Sequence, residues 1–262
     1  MARRRRFIPG IYNYCDRWCE RCGHTARCRV FRDTERVRER HERRGADAGE
    51  MDTALGDVSR SFEKARRMLR RWAKANDLDL DRLAADGAAD LADRRLDRKT
   101  DGHPLTAGTH ELMDRCRGLL EKLRAVFDEA RDDAVGRAEM MDVAGEIDGL
   151  RRVGDAAEVI SWYHTMTHVK TRRALDGWFE AGMQQERDDG AGDFALSDAA
   201  GSASVARKGL VRMKTALTVV YDWDEALRDE VLDLLVLAER LQKELESLLP
   251  GCLDFPWPPA EE

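Results

Sequence analysis

The stretch YCDRWCERCGHTARC, residues 14 to 28, gathers Cys15, Cys19, Cys22, Cys28 and His24 into fifteen positions. Thiolates are soft ligands, and at spacings of x3, x2 and x5 they lie within reach of a single centre. The inner CERCG has the form of a zinc knuckle, where a tight turn after the second Cys presents two thiolates and backbone amides to one ion. Cys15 and Cys28 would close a tetrahedral site. Zn is therefore the favoured cofactor, in a structural site that stabilises a segment too small to hold itself by apolar burial. A [4Fe-4S] cluster is the alternative, because C-x3-C-x2-C reaches three irons and Cys28 supplies the fourth thiolate. Free or redox-active thiols are the third reading. The same spacing occurs in radical-SAM chemistry, whose (β/α) barrel needs alternating strand and helix signals that this chain lacks. His24 reads as a surface histidine beside the site.

A second constellation concerns anions. Counting 100° per residue over 155–182 puts Lys170 in the middle of an apolar face made by Val159, Tyr163, Met166 and Ala174, with Arg173 and Asp155 at its edge. A charge there needs a partner, and a bundle carboxylate such as Glu146 or Asp155 is the plain choice. The functional choice is an anion pocket in which Lys170 and Arg173 meet a small-residue helix start containing Gly201, Ser202, Ala203 and Ser204, with Arg207 or Lys208 nearby. Close helix contact explains the same small residues without a ligand. His164 and His168, four apart, share a helix face but fall well away from the apolar one. None of the six histidines has Glu three residues before it, which removes the di-iron signature. HELMD at 110–114 lacks the second His of a zincin. Cys116 lies on an apolar stripe and reads as core.

The elements that must position these residues are helices. Only 6 Pro, 37% charged residues and a Leu-, Ala-, Arg- and Glu-rich composition predict an all-α chain of two-faced helices. Leu55, Val58, Phe62, Ala65, Leu69 and Trp72 alternate spacings of three and four and predict a core-facing helix. A second long helix is expected from about Thr109, with Leu112, Cys116, Leu119, Leu123 and Phe127 inward. Another apolar run ends near Gly154, followed by a helix from about Asp155 to Gly182. Ser197 or Asp198 resembles an N-cap for the next, which reaches about Tyr221. Val231, Leu234, Ala238, Leu241, Leu245 and Leu248 form the last, stopped by Pro250 and Gly251. The expected sum is a bundle of about five long helices. Its organisation reads as a basic cysteine module at 1–44, a linker at 45–52, the bundle at 53–250 and a Pro-rich tail at 251–262.

Charge divides along the same line. The formal net charge is -6, yet residues 1–44 carry 14 Arg against 6 acidic residues, a surplus of +8 that leaves -14 for the rest. Such a basic part suits nucleic acid, with Tyr12, Tyr14 and Trp18 between the arginines as stacking platforms. It equally suits docking on the chain's own acidic surface. No run of apolar residues is long enough for a membrane span, and no apolar signal segment follows Met1 to Arg6. The cysteines do not form a spread disulfide framework, so a cytoplasmic protein with reduced thiols is expected, with a protein partner and no membrane.

FIPGIYNYCDRWCERC, with the later TARCRVF, resembles the opening of a group of uncharacterised bacterial all-helical proteins that begin on a tyrosine- and tryptophan-flanked cysteine cluster. EVISWYHTMTHVKTRRAL (158–175) and SDAAGSASVARKGL (197–210) are similar to helical segments of the same group. The resemblance implies a shared architecture and no particular reaction. Whether the chain is an enzyme therefore stays open. The leading expectation is a metal-binding module with a binding or regulatory role. The other is an enzyme or redox or oxygen sensor with a [4Fe-4S] cluster and the Lys170 and Arg173 pocket.

Overall fold

A computed structural model describes residues 7–45, 51–85, 88–138, 144–184 and 191–258. Among these no strand occurs, and the protein is all-α. The described helices are α1 (Arg29–Arg44), α2 (Met51–Ala75), α3 (Leu80–Ala85), α4 (Ala88–Asp101), α5 (Pro104–Ala138), α6 (Ala144–Gln184), α7 (Ala191–Trp223) and α8 (Arg228–Leu248). No helix among the described residues is long and apolar enough to cross a membrane. The chain divides into two compact units. One comprises Met1–Tyr12, Cys19–Arg94 and Glu261–Glu262, the other Asn13–Trp18 and Arg95–Ala260.

The second unit contains a four-helix bundle. Thr109 meets His168 and Gly154 meets Phe127, so α5 and α6 run antiparallel. Tyr163 pairs with Arg212 while Gly177 lies against Ala199, which makes α6 and α7 antiparallel as well. Arg207 bonds Glu246 and Lys214 bonds Glu239, which does the same for α7 and α8. Gly108 against Leu241 and Lys122 with Glu230 close the ring between α5 and α8. The result is up-down-up-down connectivity. At its centre Leu112, Cys116, Leu119, Ile160, Tyr163, Leu210, Leu217, Leu234 and Leu241 are almost wholly buried. Leu241→Ala is expected to cost about 3 kcal/mol of stability in denaturant unfolding, because Leu241 fills the space left by Gly108.

The long helices depart from the sequence reading at their ends. Pro104 occupies the first helical position of α5, where its missing N–H costs nothing, and the His103 ring accepts from the Leu105 amide. The start near Thr109 is thus corrected by five residues. Gly154 does not divide α6. A Cβ there would meet the Phe127 ring only at an ordinary 3.7 Å contact, and burial of Val153 and Ala156 on either side offsets the glycine's cost of about 1 kcal/mol. Ser197 and Asp198 are not a helix start either. α7 begins at Ala191, because the helix must reach back to place Ala195 and Ala199 against Gly177 of α6. The Cβ of any larger residue at Gly177 would lie 2.9 Å from the Ala195 carbonyl.

In the first unit, α1 is a solvated helix carrying Arg and Glu pairs at i,i+3 and i,i+4, and Gly45 ends it in the left-handed conformation at φ 63°. His41, the buried residue of α1, bonds Asp57 of α2 at 2.6 Å. α2 is the main departure from expectation. Its apolar stripe is not in a core, since Phe62 is 71% and Trp72 56% exposed, with Leu55, Val58 and Leu69 likewise open. The bundle consequently has four long helices rather than about five.

Candidate metal centre

The division between the units falls between Trp18 and Cys19, so Cys15 belongs to the bundle unit and Cys19, Cys22 and Cys28 to the other. All six cysteines are free thiols, with Cys116 and Cys252 buried and the four clustered in sequence half-buried. Burial pushes the Cys116 thiol up to about 12, so it is an inert core group, as its stripe position implied.

In the first unit two single 3-10 turns, Cys19–Arg21 and Thr25–Arg27, precede α1; Cys19 opens the first, and Cys22 and Cys28 each follow one of them. The Cys22 amide donates to the Cys19 carbonyl at 3.2 Å, which closes the first turn. Beyond it the His24 amide donates to Cys22 Sγ at 3.4 Å. Cys28 is the N-cap of α1, and its sulfur accepts from the Phe31 amide at 3.5 Å. The Ile8 amide donates to the Arg27 carbonyl at 3.1 Å, and the Arg32 guanidinium covers the Phe7 ring. Backbone donors aimed at sulfur fix the rotamer of a thiol, as they do for an oxygen N-cap at a helix start. Among the described residues, no group of three or more His, Cys, Asp or Glu side chains is gathered closely enough to hold a metal ion.

In the bundle unit, residues 13–18 are anchored through Asp16, a residue to which sequence reasoning assigned no role. Asp16 is 7% exposed. Its Oδ2 accepts from the Tyr163 hydroxyl at 2.6 Å and from Lys208 Nζ at 2.5 Å, and Arg212 in turn donates to the Tyr163 oxygen. Oδ1 accepts from the Trp18 amide in a local turn, which Arg17 completes in the left-handed region at φ 58°. The Trp162 indole donates to the Asp16 carbonyl, and the Trp18 ring stacks on Trp162 at 5.1 Å. Burial alone would raise the Asp16 carboxyl, but Lys208 and Tyr163 more than reverse it and hold it below its usual range. Burial, then the bond to Asp16, pushes the Tyr163 hydroxyl far up, so that it stays a donor. The small-residue run explains the rest of the fit. A Cβ on Gly201 would lie 2.5 Å from the Tyr14 ring and 2.7 Å from Phe255, so only glycine admits both. The tail therefore packs as a cap through Phe255, and Trp257 lies beneath the Lys208 ammonium.

The residues expected to bind an anion are placed as follows. Arg173 makes a two-pronged pair with Asp198, which also accepts from the Tyr14 hydroxyl. Lys208 is committed to Asp16. Ser204 donates to the Gly201 carbonyl of its own helix, and Ser202 is wholly buried. Because α7 starts ten residues earlier than Gly201, the amides of 201–204 are spent within the helix, and the helix-start part of that expectation is corrected. Lys170 is half-buried, and its ammonium makes no hydrogen bond or ion pair among the described residues. Burial, reinforced by Arg173, holds it below its usual range, while the charge of Cys15 acts in the opposite direction. Asp155 cannot pair with it, since fifteen residues along one helix separate them by about 22 Å; the Glu146 side chain lies outside the described residues.

His168 is buried, and its Nδ1 meets the Thr109 hydroxyl at 3.0 Å, whereas His164 Nδ1 turns to the Ser161 carbonyl. They face different partners and do not form a metal pair. Trp18 and Tyr14, expected among the stacking platforms for bases, are engaged by Trp162 and Asp198.

Fold and site together define an all-helical protein in which a cysteine-rich segment leads into a four-helix bundle and leaves part of itself, residues 13–18, in the bundle's own unit. No protein-family model, curated protein or solved structure matches the chain.

Proposed function

We propose that Cys15, Cys19, Cys22 and Cys28 bind one Zn ion, and that the chain is a metal-dependent binding or regulatory module of the bacterial cytoplasm. The observation that carries this reading is the pair of backbone amides, His24 and Phe31, donating to the sulfurs of Cys22 and Cys28. Such donors are what a thiolate in a Cys-x2-Cys-Gly turn uses when it holds a metal. Because such a site forms only with its metal, binding free energy appears as folding free energy of the cysteine-bearing segment. Stripping the metal with a chelator is expected to lower the unfolding temperature by at least about 5 °C and to speed proteolysis within 7–45. An unchanged melt and an unchanged cleavage pattern would sink the proposal. The partner is a protein in this reading; for nucleic acid binding through residues 1–44, Tyr14 and Trp18 are already engaged within the bundle unit.

One observation favours a second reading, a redox or oxygen sensor or an enzyme with a [4Fe-4S] cluster. Lys170, half-buried and unpaired among the described residues, feels the charge of Cys15. Such a cation would offset the negative charge of a thiolate-bound cluster or receive an anionic ligand beside it. Iron and acid-labile sulfide separate this reading from the first.

A further inference from the structure

The antiparallel pairing of α5 and α6 brings together two histidines that are far apart in sequence. The rings of His110 and His168 meet edge to face with their centres 5.4 Å apart. Each ring is held through its Nδ1. For His168, Nδ1 lies 3.0 Å from the Thr109 hydroxyl, which gives its own proton to the carbonyl of Leu105 or Thr106 in the turn behind it. The proton in that contact is therefore the histidine's, and the lone pair of His168 is left on Nε2. For His110, Nδ1 lies 3.1 Å from Asp114 Oδ2. A carboxylate draws the ring proton to the nitrogen beside it, which again leaves the lone pair on Nε2. Among the described residues neither Nε2 has a hydrogen bond or an ion pair.

Metal-binding imidazoles have this arrangement, one nitrogen taking the ion while an oxygen acceptor on the other sets the tautomer and the ring orientation. Two imidazoles bound to one tetrahedral ion place their ring centres about 5 Å apart, close to the separation seen across α5 and α6. We propose that His110 and His168 hold one divalent late transition ion, Zn, Ni or Cu, with water in its remaining positions. Imidazole suits these ions. No group of three or more His, Cys, Asp or Glu forms a metal site among the described residues, so water completes the coordination and the ion is exchangeable rather than enclosed. His168 is 9% exposed and the His110 side chain 57%, so the ion enters from the His110 side. Asp114 adds negative charge there, and the positive charge of Arg172, one turn beyond His168, is offset by Asp101 at 2.7 Å. Once bound, the ion ties α5 to α6 inside the bundle unit and uses none of the clustered cysteines.

Titration of the reduced, Zn-loaded full chain with divalent Ni, followed by calorimetry, tests this. The expected result is one site per chain with a dissociation constant below about 100 µM, weakened at least about tenfold in His110→Gln and in His168→Gln. Saturating Ni is expected to raise the unfolding temperature by about 3 °C in the wild type and not in His110→Gln. His110 is exposed, so its replacement leaves the core intact and the outcome stands even where the buried His168 variant fails to fold. The site is expected to survive in His164→Gln, because His164 turns to the Ser161 carbonyl of its own helix, and in Cys22→Ser. Equal affinity in the wild type and His110→Gln, or no binding below about 1 mM, overturns the proposal and leaves an edge-on ring contact. Loss of the site in Cys22→Ser also overturns it, because the Ni would then be bound by the cysteines.

Discussion

Cys22→Ser is expected to reduce bound metal at least tenfold relative to the wild-type chain, measured by elemental analysis after gel filtration. Serine keeps the size of cysteine, but its hydroxyl does not ionise near neutral pH and is a hard ligand where the site is built from soft ones. The amide of His24, which donates to the Cys22 sulfur, would be left facing a neutral oxygen. Cys116→Ser supplies the control. Cys116 is fully buried in the bundle core, and burial pushes its thiol up to about 12. Its replacement is expected to lower stability while leaving the metal content unchanged. Equal loss of metal in both variants would mean that binding reports only folding.

The second large effect is expected at Asp16. Asp16→Ala removes the acceptor for Tyr163 and Lys208 together and leaves a buried hydroxyl and an ammonium without their partner. Truncating one member of such a network costs about 3 kcal/mol, reduced here because Lys208 is about one-third exposed. Urea unfolding at neutral pH measures it. Acid gives an independent readout. The folded carboxyl lies below its ordinary value of 3.8, so its contribution is complete above that pH and is lost as pH falls through the lower folded value. The wild type and the Ala variant are therefore expected to converge in stability as the pH drops below about 3.8. A constant difference between them down to the acid transition would assign the effect to packing of Trp18 and Trp162 instead.

The sequence carried the interior of the bundle more clearly than its ends. The repeat from Val231 to Leu245 is legible because its positions at three and four meet one continuous core, and all five of Val231, Leu234, Ala238, Leu241 and Leu245 are buried. The same repeat from Leu55 to Trp72 is equally legible, yet the pattern states only that a surface will be covered and not by what. In the described residues that surface is open. Helix starts depart from their local capping signals where packing competes with them. Ser197 and Asp198 look like a cap, but Asp198 serves Arg173 and Tyr14 while α7 extends past it to meet Gly177. At Pro104 the sequence holds a usable signal, a proline at the first helical position of α5.

The site shows the same limit. Thiol spacing marks the cysteines because coordination chemistry is local in sequence. Asp16 carries no comparable mark, since its partners Tyr163, Lys208 and Arg212 are more than 140 residues away and are assembled only by the antiparallel pairing of α6 and α7. Lys170 is legible from its position on an apolar face, and in the structure it is half-buried.

Metal content decides the central claim. The chain is to be purified without oxygen, its visible spectrum recorded, and Zn, Fe and acid-labile sulfide measured per mole of protein. The expected result is a colourless protein with about one Zn per chain. Less than about 0.1 metal per chain, with all four clustered thiols reacting freely, would contradict a metal centre at these cysteines; about four Fe with broad absorbance near 400 nm would contradict the assignment to zinc.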